Sequence, residues 1–143
     1  MRNWLIGFMS AAAVLLGSVQ TGLAASIVAK VNIAEQTMTV TKHGRVIHTW
    51  KVSTARSGYI TPPGEFRPYR MHRMWHSRKY DMSPMPYSIF YHGGYAIHGT
   101  NAVSRLGRPA SHGCVRLHTD NARRLFALVR QAGPGNTRII VEN

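Results

Sequence analysis

Acidic side chains are nearly missing from this sequence: five Asp and Glu stand against eighteen Lys and Arg in 143 residues, a formal charge of +13. Such a chain cannot neutralise itself, and it favours contact with a polyanion or a carboxylate-rich surface; the plainer reading of the same charge is a solvated basic shell. Cysteine is scarcer still. A single residue, Cys114, excludes an internal disulfide. Internal repeats, low-complexity tracts and a pair of transmembrane runs are also missing. The basic residues form no helix-turn-helix, finger or aromatic-stacking pattern, which speaks against a nucleic-acid partner. What remains, 44% apolar residues over this length, suits one domain with a single modest core.

The longest apolar run lies at the N-terminus. Arg2, the stretch from Trp4 to Leu16 and the small residues Gly22-Leu23-Ala24-Ala25 have the charged, apolar and small-residue parts of a secretory signal. Residues 1–25 are expected to be a signal peptide, cut after Ala24 or Ala25, and 26–143 the working domain. The run is short for a bilayer span, so no stable membrane span is expected after cleavage. Export to a periplasm or cell wall changes how Cys114 reads. In an oxidising compartment a lone thiol is a catalyst, an intermolecular bridge or an inert core residue.

Downstream, Ile27–Val31 and Thr37–Thr41 are β-branched runs punctuated by Glu35-Gln36 and His43-Gly44, the pattern of an antiparallel meander. Arg45–Ser53 continues it, with Val46, His48, Trp50 and Val52 expected on one side and His48 as a partly covered sheet residue. Thr61-Pro62-Pro63-Gly64 reads as an ordered turn. Phe66–Tyr80 shows no clean period of 2 or 3.6, which predicts an exposed loop or lid. Within it His72 and His76 are spaced for one helical face, but no third ligand lies nearby and both read as solvent-facing. Tyr87–Tyr91, Gly93-Gly94 and Tyr95–His98 form a hairpin that delivers His98 to a strand end. Asp120 or Thr119 caps a helix whose apolar stripe is Ala122, Leu125, Phe126 and Val129, ended by Gly133-Pro134, with Arg123, Arg124 and Arg130 on its solvated side. Thr137–Val141 is a last strand for the core sheet.

The chemistry gathers between His98 and Arg116. A cysteine nucleophile needs a base within reach, and donors where an oxyanion forms. Cys114 supplies the nucleophile. His98 is the first candidate for base, and His112, two residues from the sulfur, is its rival. The backbone N–H groups of His112, Gly113 and Cys114 are the candidate oxyanion donors, with Gly113 leaving room for close approach. Arg116 suits either stabilisation of a thiolate or bidentate capture of a carboxylate, beside its plain reading as a surface arginine.

Taken together, His98-Gly99-Thr100, Gly107 and Ser111-His112-Gly113-Cys114-Val115-Arg116-Leu117 resemble the signature of the YkuD-type L,D-transpeptidase catalytic domain, and Thr61–Phe66 resembles the turn before its catalytic half. The resemblance runs from the Ile27 strand to the Val141 strand. It implies a mainly β, sandwich-like fold with one packing helix near the C-terminus, and peptidoglycan stem peptides as substrate. It further implies Cys114 as nucleophile through a thioester, His98 as general base, and positioning roles for Ser111, His112, Gly113 and Arg116. No cofactor and no metal are implied, and the oligomeric state is left open. The rival readings are an L,D-carboxypeptidase or other hydrolase on the same domain, a zinc hydrolase using His98, His112 and Cys114, and a basic wall-binding protein without catalysis.

Overall fold

The computed structural model describes residues 24–143, so the expected signal segment lies outside them apart from its last two positions. Strands β1 (Ile27–Asn32) and β2 (Thr37–Lys42) alternate as the sequence implies: Ile27, Ala29 and Val31, then Met38 and Val40, point inward. The two-residue loop His43-Gly44 has positive φ at both positions, the twist that matches flanking strands, and leads into β3 (Arg45–Lys51).

A register shift between Val40 and Thr41 interrupts the β2–β3 pairing. Such a bulge re-aims the side chains beyond it. Trp50 and Val52 are buried and His48 is half-covered, stacked on Trp50 at 4.6 Å, but Val46 is 63% exposed, so the expected one-sided run ends at His48. The last strand, β9 (Thr137–Glu142), lies parallel to β1, and β4 (Gly64–Phe66) closes the sheet against it, giving the order β3-β2-β1-β9-β4.

The second sheet has the order β5-β6-β7-β8, with β5 (Arg70–Ser77), β6 (Ser83–His92), β7 (Tyr95–Thr100) and β8 (Val115–His118). The expected loop over Phe66–Tyr80 is therefore corrected: Phe66 ends β4, residues 67–69 alone lie outside regular structure, β5 pairs with β6 nearly throughout, and Arg78–Tyr80 turns as a short 3-10 segment. The physical reason is a change of face within the strand pair. Tyr87 has φ +54, and both Met85 and Phe90, an odd number of residues apart, join one apolar cluster with Trp75, Ala96 and Cys114. A strict count of two cannot see a strand that switches faces midway.

Helix α1 (Thr119–Ala132) follows β8 without a loop. His118 caps it, its Nδ1 accepting from the Asp120 N–H at 3.2 Å, in place of the expected Asp120 or Thr119. Ala122, Leu125, Phe126 and Val129 are buried as the spacing predicts, and Gly133, at φ +92, ends the helix. Gly99 permits this packing: a Cβ there would lie 2.9 Å from the Thr119 Cα. The core joins both sheets and the helix, with Val31, Val40, Ile97, Leu117, Leu125 and Ile139 almost wholly buried. The mainly β, two-sheet architecture with one packing helix is the expected one. Among the described residues no helix is long and apolar enough to cross a membrane.

Candidate active site

Strands β7 and β8 run parallel with His98 opposite Arg116 and Ile97 opposite Val115. Residues opposite each other share a face, and so do residues two apart. Cys114, just before β8, therefore shares a face with Arg116, Ala96 and His98, and lies diagonally from His98. All four are on the side away from the main core, where Cys114 packs with Ala96, Phe90 and Trp75. A groove of about 880 Å³ opens there, lined among others by His98, His112, Cys114 and Arg116.

The segment before the cysteine is held by hydroxyls. Ser111 is fully buried; its Oγ donates to the Cys114 carbonyl at 2.6 Å and accepts from the Gly113 N–H at 3.0 Å. Thr61, from the Pro-Gly turn, donates to the Gly113 carbonyl at 2.8 Å and accepts from the Ala55 N–H at 3.0 Å. Ala110 and Ser111 both donate to the Thr54 carbonyl, and Thr54 is clasped in turn by the Gln36 side chain. The turn is legible in the sequence; its hydroxyl grip on the cysteine loop is not, because it joins positions 52 apart.

Gly113 has φ +135, and a Cβ there would sit 2.6 Å from Tyr95 Cε1 and 2.9 Å from the Ile60 carbonyl oxygen. Its lack of a side chain thus serves the protein's own packing. Because its N–H is spent on Ser111, the expected trio of oxyanion donors reduces to the N–H groups of His112 and Cys114.

His98 is 6% exposed, and its Nδ1 lies 2.7 Å from the Gly99 carbonyl oxygen. A carbonyl only accepts, so Nδ1 carries the proton and Nε2 keeps a lone pair. Burial lowers the imidazole to about 4, with the Arg116 guanidinium acting in the same direction, and the Gly99 hydrogen bond opposes them. Cys114 is half-buried, its Sγ 3.9 Å from the Gly94 carbonyl oxygen. Burial pushes the thiol up from its ordinary value, while a backbone hydrogen bond from Ala96 and the charge of Arg116 pull it down. At neutral pH the groove thus holds a neutral thiol and a neutral imidazole.

His112 is held between two rings: Tyr80 stacks on it at 4.1 Å and Tyr59 meets it edge-on at 4.8 Å. Loss of water contact and the cations Arg56, Arg116 and Lys79 lower its imidazole. Nothing in the sequence pattern pointed to Tyr80 or Tyr59. Arg116 is half-buried, its Nη1 3.5 Å from the Ala110 carbonyl oxygen, and its backbone exchanges two hydrogen bonds with Ser53.

Among the described residues no three His, Cys, Asp or Glu side chains converge as a metal site, so the zinc arrangement of His98, His112 and Cys114 is not formed. His72 and His76 lie on a strand. His76 is exposed, whereas His72 is half-buried against Trp75, with a buried Nε2 that has no partner, which corrects its solvent-facing expectation.

Residues 26–141 match the L,D-transpeptidase catalytic domain as a family. The chain belongs to that family. Bacillus subtilis YkuD is 28% identical to it over 115 residues, which cover 78% of this chain and 63% of YkuD. Escherichia coli YbiS is 43% identical over 53 residues, 37% of this chain and 16% of YbiS. The chain thus spans less than two thirds of either relative. Among solved structures, the L,D-transpeptidase from Xylanimonas cellulosilytica superposes with a TM-score of 0.72 at 25% identity, over 84% of this chain and 62% of that one. An L,D-transpeptidase from Mycobacterium smegmatis does so with 0.72 at 23% identity, over 82% and 59%, a likeness of fold. The L,D-transpeptidase fold is therefore what brings Cys114 and His98 to one groove.

Proposed function

We propose that this protein is an exported L,D-transpeptidase that acts on peptidoglycan stem peptides through Cys114. The observation that carries the reading is the placement of a thiol and a buried, proton-accepting imidazole on one face of adjacent strands, in a single groove. Residues 1–25 act as the export signal, and the work is done in the periplasm or cell wall. Basic residues hold the domain to the anionic wall surface.

His98 Nε2 takes the thiol proton as Sγ attacks the carbonyl carbon of the bond between the L-centre of a diamino acid and a terminal D-residue. The oxyanion faces the N–H groups of Cys114 and His112. The tetrahedral intermediate collapses and the C–N bond breaks. The imidazolium returns its proton to the leaving amine, so free D-alanine departs and a thioester remains. An amine of a second stem then attacks the thioester, passing its proton to His98. The carbon–sulfur bond breaks, the thiol is restored, and the two diamino acid residues are cross-linked. Ser111 and Gly113 hold the loop in shape, and His112 and Arg116 line the donor's path.

The test is intact mass after incubation with a tetrapeptide muropeptide or a carbapenem. Wild type is expected to gain a covalent adduct and Cys114→Ala to gain none. An added amine then yields cross-linked dimer; trimmed monomer stems in its place would make the protein an L,D-carboxypeptidase. Absence of any adduct would leave only a basic wall-binding role.

A further inference from the structure

Cys114 sits at one end of a row that crosses the second sheet. Arg70 on β5 is opposite Phe90 on β6, and Phe90 is opposite Ala96 on β7. The parallel register of β7 and β8, carried back one residue from Ile97 and Val115, sets Ala96 beside Cys114. Phe90, Ala96 and Cys114 pack together, so the row shares the groove face. The far end of the row is a cation. The Arg70 guanidinium carbon lies 4.3 Å from the Phe90 ring centre, 4.8 Å from that of Trp75 and 6.0 Å from that of Tyr69.

No ion pair among the described residues includes Arg70: the acids that pair do so elsewhere, Glu142 with Lys30, Asp120 with Arg123 and His118, and Glu65 with Arg138. Nor does its guanidinium donate a hydrogen bond to another described residue. An exposed guanidinium gathered among three rings has lost part of its side-chain freedom, and its N–H groups remain for a ligand. The groove adds Arg78, Lys79 and Arg116 to its walls and no carboxylate. A guanidinium fork in a groove lined by no carboxylate complements an oxyanion, and on a stem peptide that group is a carboxylate.

We propose that Arg70 is a specificity-determining residue that anchors a free carboxylate of the acyl-donor stem. Strands lie about 4.8 Å apart, and Arg70 folds back over β6, so the anchored carboxylate lies about 10 Å from the carbonyl under attack. A donor carrying a carboxamide at that position loses the anchor. This proposal rests on the transpeptidase reading and names the substrate feature that its groove selects.

Two synthetic donor tetrapeptides decide it, identical except that the carboxylate at that distance is a carboxamide in the second. The readout is the rate of adduct formation on Cys114 by intact mass, without acceptor, for wild type, Arg70→Gln and Arg70→Lys. A charge-assisted hydrogen bond corresponds to about tenfold or more in relative kcat/KM. Wild type is expected to favour the carboxylate donor by that factor, with the difference in KM and shrinking as salt rises. Arg70→Gln is expected to level the two donors, and Arg70→Lys to recover part of the preference. Equal rates of wild type on both donors would overturn the anchor while leaving the transpeptidase reading intact; so would an undiminished preference in a folded Arg70→Gln. Wild type acylated by neither donor would overturn both readings. The wild-type comparison stands even if Arg70→Gln fails to fold.

Discussion

His98 is the clearest case of a residue whose chemistry is set by its surroundings. His98-Gly99 together with Ser111–Arg116 marks a candidate base, but only burial within the sheet decides when that base is free of its proton. With the imidazole lowered from 6.5 to about 4, the folded protein binds this proton less readily than the unfolded chain does. Between those values the unfolded state carries more protons, so stability falls as pH drops through the window from 6.5 to about 4. The total loss is about 3 kcal/mol, set by the pKa difference at 1.36 kcal/mol per unit. Urea unfolding at neutral and mildly acid pH is expected to show this slope, and His98→Gln to remove it. The acylation rate follows the same group. The acid limb of kcat/KM is expected to turn near 4; a turn near 6.5 would mean that the base is a solvated imidazole. Cys114 and His98 were legible in the sequence because their types and spacing are unusual. Tyr80, Tyr59 and Thr61 were not, because an aromatic ring or a hydroxyl carries no mark of what it touches.

At the level of elements, the loop from Ser111 to Cys114 depends on contacts that close from three separate parts of the chain. Gly113 meets Tyr95 from the β6–β7 hairpin and Ile60 from the segment before β4, at a φ that L side chains rarely adopt. Gly113→Ala is expected to cost about 2 kcal/mol or more of stability and to slow acylation at least about tenfold, since a methyl group must displace backbone as well as a ring. Gly135, whose added Cβ meets nothing, is the control: Gly135→Ala is expected to change neither quantity. Chemical denaturation and adduct kinetics on both variants check the pair of outcomes. The same scale explains what sequence patterning read well and badly. The helix stripe Ala122, Leu125, Phe126, Val129 follows one period throughout and was plain. Strand β5 was missed because its partner turns through a left-handed Tyr87 and the inward face changes midway.

Across the whole molecule, charge is distributed so that the groove stays uncompensated. Glu65, Asp120 and Glu142 are spent on Arg138, Arg123 and Lys30, whereas Arg116 is lowered by burial first and then by the nearby charges of Arg105 and Arg56. Retention on isolated cell wall is expected to weaken steadily as ionic strength rises, because exposed charges more than about 10 Å apart are screened at 0.1 M salt. Co-sedimentation over a salt series measures this, and binding indifferent to salt would assign retention to something other than charge. By itself, the order of residues determined the excess of positive charge, the alternation of the first strands, the helix stripe and the two reactive side chains, since each follows from residue type and short-range spacing. Tertiary structure alone decided which glycine amide is already occupied, which ring clamps His112, how deeply His98 lies, and that Arg70 shares a row with Cys114. Those depend on registers between strands far apart in the chain, and pairing register is a property of the packed sheets.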